Sequence, residues 1–165
     1  MKLADTQYDN SETGCCARLD TARWDGAKHV WSDKLFLKDH IREFLHIPIN
    51  FGSVISRDHQ AIEGAEAYPE QPIWITDEVS PWGSDIYVAT DRPVPGATME
   101  TFSGVFLTRV FEGPYRDMRK WIGEMESYVR DEGEELEHLY FFYAYCPKCA
   151  KAFGKNEVVL FAKVA

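Results

Sequence analysis

The sequence predicts an α+β domain of two duplicated β-α-β-β units, forming a mainly antiparallel sheet with helices on one face, preceded by an amino-terminal extension. Three observations carry this expectation. Residues 104–164 run strand, helix, strand, strand, and residues 48–90 follow the same order more weakly. The chain has 165 residues, 45% hydrophobic and 14% aromatic, enough for one substantial core and too few for two independent domains. The extension is assigned to residues 1–45 and the domain to residues 46–165. Residue identity between the two halves is low, so an unduplicated α+β domain with an appendage is the alternative.

Taken in order, residues 1–14 are polar, and Cys15-Cys16, Trp24-Asp25 and Trp31-Ser32-Asp33-Lys34 follow. Packing over the domain would bury Trp24 and Trp31, and Trp31 is also a candidate ligand contact. Ile41, Phe44 and Leu45 suggest a helix over Lys38–Leu45. Ile47–Phe51 reads as a strand, with Pro48 at its edge or first position. A helix over Arg57–Ala67 follows, with Ser56 as its cap and Ile55, Ile62 and Ala65 as its apolar face. Strands Ile73–Thr76 and Asp85–Ala89 are joined through Asp77–Gly83, and Arg92–Gly96 turns the chain.

The second half is patterned more strongly. Val105–Val110 alternates as a strand. Tyr115, Met118, Ile122, Met125 and Val129 then recur at spacings of three and four, widened by Trp121 and Tyr128, and Gly133 stops the helix. Leu139–Tyr145 and Val158–Val164 complete the unit as strands.

A formal charge of -9 argues against direct nucleic-acid binding, which needs a positive face. No basic start precedes an apolar run, and no apolar stretch approaches the ~20 residues that cross a bilayer. A cytoplasmic protein without membrane contact is therefore expected, and nothing in the pattern fixes an oligomeric state. Four cysteines do not read as a secreted disulfide framework.

At Phe111-Glu112-Gly113-Pro114-Tyr115, followed by Met118 and Trp121, the chain resembles the gyrase-inhibitor-like small-molecule-binding family. The likeness covers residues 104–164 well and residues 48–90 loosely, and leaves residues 1–45 outside. That family includes ligand-binding domains of multidrug-responsive regulators, free-standing binding proteins and hydrolases that open cyclopropane-containing compounds. The resemblance implies a central cleft lined by aromatic and acidic side chains. It does not choose between binding and hydrolysis. No helix-turn-helix segment accompanies it here.

Within that reading, Glu78 and Glu112 are the candidate catalytic carboxylates. A Glu enclosed by rings becomes harder to ionise and can exchange a proton with water or a leaving group. The same charge can hold a cationic aromatic ligand. For Glu112, charge near a helix amino terminus is an equally simple reason to be there. Trp31, Trp82, Tyr115, Tyr143 and Tyr145 are the candidate ligand contacts, with alternation placing Tyr143 and Tyr145 on one sheet face. A competing constellation is Cys16 with Cys146 and Cys149, joined by His46 or His59. Cys146-Pro147-Lys148-Cys149 has the C-x-x-C spacing of a zinc half-site or a redox pair, and unligated structural thiols are the third reading. No cofactor is required by any of these readings except zinc in this one.

Overall fold

Two amphipathic helices organise the structure, each sealing one face of an antiparallel sheet. The computed structural model describes residues 19–45, 47–69, 73–145 and 147–165. Its elements are α1 (Thr21–Trp24), β1 (Ala27–Phe44), β2 (Ile47–Pro48), α2 (Phe51–Gly64), β3 (Trp74–Ser80), β4 (Gly83–Ala89) and β5 (Thr98–Glu112). A 3-10 turn at Tyr115–Asp117 leads into α3 (Met118–Asp131), β6 (Leu136–Tyr143), α4 (Pro147–Phe153) and β7 (Glu157–Val164). The strands and helices make an α+β architecture in which the pairings described below are antiparallel.

The described residues divide into two compact units, residues 33–102 and residues 19–32 with 103–165. In the first, β4 lies between β1 and β3, with Leu37 opposite Val88 and Thr76 opposite Ile86. Helix α2 covers one face through Val54 and Ile62, which join Leu37, Ile41, Ile86 and Val88 in a buried cluster. In the second, β7 lies between β5 and β6, with Leu107 opposite Ala162 and Phe141 opposite Leu160. Trp121, Met125 and Val129 of α3 close that sheet's face against Leu107, Phe111, Phe141, Val158 and Leu160. Side chains of this size contribute ~1.5–3 kcal/mol each on full burial, which is what holds the helices to the sheets.

Where residue spacing was strongest, the elements lie as expected. Helix α3 carries the three-and-four stripe, and Gly133 follows it at φ 75°, a left-handed value that glycine adopts without strain. Several local expectations are corrected. Lys38–Leu45 is not a helix: residues up to Phe44 belong to β1, where Ile41 and Glu43 are buried while Arg42 and Phe44 are exposed. Charged Asp39 and Glu43 sit on the inward face, which hid the period of two. Ile47–Phe51 is a strand only at Ile47–Pro48, and α2 starts at Phe51, so Ser56 lies inside it rather than capping it. The supposed loop Asp77–Gly83 is mostly strand: Asp77 and Glu78 belong to β3, and Pro81-Trp82 alone separates it from β4.

Met125 is fully buried and Val30 is 73% exposed. Met125→Ala is expected to cost about 2–5 kcal/mol in urea unfolding, against less than about 0.5 kcal/mol for Val30→Ala.

Candidate functional site

Strand alternation gives the second unit's sheet a second face, opposite α3. Register places Phe106, Thr108 and Glu112 of β5, Glu157 and Phe161 of β7, and Tyr140 of β6 on it. Residues 27–32 and α1 supply further side chains, because β1 also pairs with β5. Trp31 lies over Phe106 at 4.4 Å between ring centroids and within 6.0 Å of Phe161. Trp24 approaches Phe161 at 5.4 Å, and Tyr140 approaches Phe106 at 6.3 Å. Phe106 and Phe161 are wholly buried, whereas Trp31 is only partly so. The face is an aromatic wall whose Trp31 ring keeps access to solvent.

Polar groups on this face are few and tightly specified. Thr108 Oγ1 donates to the Trp24 carbonyl at 2.6 Å, so at its 3.2 Å contact with His29 it accepts, and Nε2 of His29 carries the proton. Glu157 is 2% exposed. A carboxylate so placed needs donors, and it has two: Tyr145 Oη donates to Oε1 at 2.9 Å and Lys155 Nζ stands 3.3 Å away. Tyr145 Oη in turn accepts the Leu19 N–H at 2.8 Å. Its ring packs edge-on to Phe153 of α4 at 4.9 Å.

Four of the residues singled out in the sequence gather at this end of the unit. Glu112 is exposed at the end of β5, directly opposite Glu157. Tyr115 is 47% exposed and meets Tyr143 edge-on at 5.7 Å. Tyr143 belongs to the cluster packed on α3, while Tyr145 lies beyond the end of β6 and turns to Glu157. The two tyrosines thus do not share a wall, because the alternation stops at Tyr143. Trp31 belongs to the aromatic wall in the same unit.

Glu78 and Trp82 lie in the other unit. Glu78 is exposed on β3 opposite Ser84, and Trp82 is 58% exposed with its ring 5.7 Å from Phe44. On the opposite face of the same strands is a polar row that the sequence did not announce: His40 Nδ1 is 3.0 Å from Asp85 Oδ1, and Lys38 Nζ is 3.8 Å from Asp85 Oδ2. Gly83 lies under the His40 ring, where an added Cβ would meet Nε2 at 2.5 Å.

Cys16 and Cys146 lie outside the described residues, as does the side chain of Cys149, and so does His46. Among the described residues no three His, Cys, Asp or Glu side chains gather to hold a metal. A shallow groove of about 440 Å³ beside α3 is lined by Arg109, Lys120, Glu124, Tyr128 and Asp131 and involves none of the candidates. Glu157, Phe106 and Phe161 were missed in the sequence. Glu157 stands at an even spacing from Phe161 on a strand whose residues 158–162 are all apolar, which is the one signal that would have found it.

The sheet-and-helix arrangement is the fold of gyrase-inhibitor-like, small-molecule-binding relatives. The chain belongs to the bacterial hydrolase family, whose model matches residues 6–164. A hydrolase from Listeria innocua is similar in structure over 87% of this chain and 93% of its own, at 11% identity and TM-score 0.62. The C-terminal domain of EcmrR matches over 86% of this chain and 98% of its own, at 12% identity and TM-score 0.58. EcmrR in a DNA complex matches over 84% of this chain and 56% of its own, at 11% identity and TM-score 0.57. At these identities the likeness establishes the fold. No curated protein matches the chain. Among the described residues no helix is long and apolar enough to cross a membrane.

Removing the Tyr145 hydroxyl takes the acceptor from the Leu19 N–H and one of two donors from Glu157 Oε1, which keeps its contact with Lys155. Tyr145→Phe is expected to lower stability by about 1–3 kcal/mol in chemical denaturation.

Proposed function

We propose that the chain binds a flat, largely apolar small molecule against the aromatic face of its second unit, with Glu157 as the recognising carboxylate. The observation that carries this is the burial of Glu157 on the same sheet face as Phe106, Phe161 and Tyr140, with Trp31 laid across the rings. Rings offer a ligand large contact area at fixed geometry, and one desolvated carboxylate selects for a cation or hydrogen-bond donor. The formal charge of -9 fits such a ligand better than nucleic acid. The same reading takes the chain as two copies of one β-α-β-β unit, supported by the orders β1-β4-β3 and β5-β7-β6.

Hydrolysis is the second reading, favoured by the family's description and by the Tyr145–Glu157 contact. A carboxylate can take a proton from water, and a phenol beside it can pass one to a leaving atom. Glu112, opposite Glu157, is the next acid in reach of that end of the sheet.

Titration of intrinsic fluorescence with neutral and cationic aromatic compounds tests the reading. Trp31→Ala and Glu157→Gln are each expected to weaken binding about tenfold or more, ~1.4 kcal/mol, with the circular dichroism of a folded protein. Trp82→Ala is expected to leave it unchanged. Wild-type affinity in Trp31→Ala would remove the aromatic wall as the site. A product heavier by one water, formed by wild type and absent with Glu157→Gln, would move the assignment from binding to hydrolysis.

A further inference from the structure

Under α2 in the first unit, two acids meet. Asp58 projects from α2 and is 3% exposed, and Arg57 beside it on that helix reaches Asp39 on β1, which brings the Asp58 carboxyl against that of Asp39. Two carboxylates cannot hydrogen-bond each other unless one carries a proton. Asp58 Oδ2 is buried and receives no N–H or O–H from the described residues, so a proton of its own completes the contact. Asp39 is already supplied: Arg57 Nη2 reaches Oδ2 at 2.6 Å and the His40 N–H reaches Oδ1 at 2.8 Å. The charge therefore rests on Asp39 and the proton on Asp58.

We propose that this shared proton is a pH-operated clasp fastening α2 to β1, closed at neutral pH and opened when alkali removes it. The two sides of the clasp belong to different elements, so its loss sets two negative charges against each other across the helix–sheet contact. The helix–sheet contact around it is otherwise apolar, through Leu37, Ile41, Val54, Ile86 and Val88, and Asp58 is enclosed there while Asp39 keeps part of its surface in solvent. Among the described residues, the charged groups acting on Asp58 are Asp39 from β1 and Arg57 from its own helix, and β4 joins the surrounding cluster through Ile86 and Val88.

Burial first, then the contact with Asp39 and its charge, push the Asp58 carboxyl up to about 8, against the opposing pull of Arg57. Burial also raises Asp39, but hydrogen bonds from Asp58, Arg57 and the His40 N–H outweigh it and hold that carboxyl below its ordinary value. The signs are opposite. Between the unfolded value of 3.8 and about 8, the folded chain holds a proton on Asp58 that the unfolded chain has released, so this contribution to stability declines as pH rises. Asp39 contributes above the ordinary carboxylate range and is lost only as pH falls through its lowered value. Nearby groups do not mimic the effect. His59, kept low by burial, is neutral throughout the alkaline range, and Tyr68, on the His59 carbonyl, is pushed by burial up to about 12.

The test is hydrogen exchange of the full chain at pH 6.5 and pH 9, with rates corrected for the intrinsic base dependence. Amides of α2 are expected to lose about tenfold or more of their protection in wild type. Asp58→Asn puts an amide donor where the proton was and is expected to abolish that loss, while α3 behaves alike in both proteins. Equal loss in wild type and Asp58→Asn would overturn the clasp. Should Asp58→Asn not fold, the carboxyl carbon of Asp58 in labelled wild type decides by NMR. Titration well above pH 6 supports the shared proton, and titration in the ordinary carboxylate range overturns it.

Discussion

Strand β7 is hydrogen-bonded along both edges, to β5 and β6, and its alternation of side chains does two separate jobs. Val158, Leu160, Ala162 and Val164 close the core under α3, while Glu157 and Phe161 point to the opposite face. A slip of one residue would exchange these sets, burying Glu157 and Lys163 beneath the helix and turning the aliphatic row outward. Register is thus shared by core and candidate site. The helix-side packing cannot be optimised without fixing where the carboxylate stands.

What the sequence disclosed follows from how cleanly its period was written. Helix α3 and strand β7 were legible because their apolar residues recur without interruption. The end of β1 was not, since Asp39 and Glu43 occupy inward positions where an apolar residue would have revealed the strand. Ile41, Phe44 and Leu45 then imitate a helical stripe, although Phe44 and Leu45 are each 57% exposed. The same physics hid the site. Glu157 looks like a strand's solvated first residue until Tyr145, twelve positions earlier, is seen to turn back onto it.

An acidic protein must decide, acid by acid, how to place charge, and two solutions coexist here. Glu157 is buried with donors supplied, a phenol and an ammonium. Asp58 is buried against another acid, so its charge is surrendered. The difference is the neighbour rather than the depth, since both side chains are almost fully enclosed. Interior carboxyls that keep their charge are suited to recognition, whereas those that give it up act as hydrogen-bond donors within the scaffold.

The division of β1 between the units has a consequence for how the chain is made. Among the described residues, 33–102 share one unit, but residues 19–32 must wait for residues 103–165 before theirs exists. During synthesis the first unit can condense while Trp24 and Trp31 still lack Phe106 and Phe161, their eventual neighbours. Asp33, at φ 50°, stands where the early unit ends and the waiting segment begins. Bringing residues 19–32 onto residues 103–165 is a long-range closure, slow by loop entropy, and the two tryptophans meet their ring neighbours only after Phe106 and Phe161 have been made.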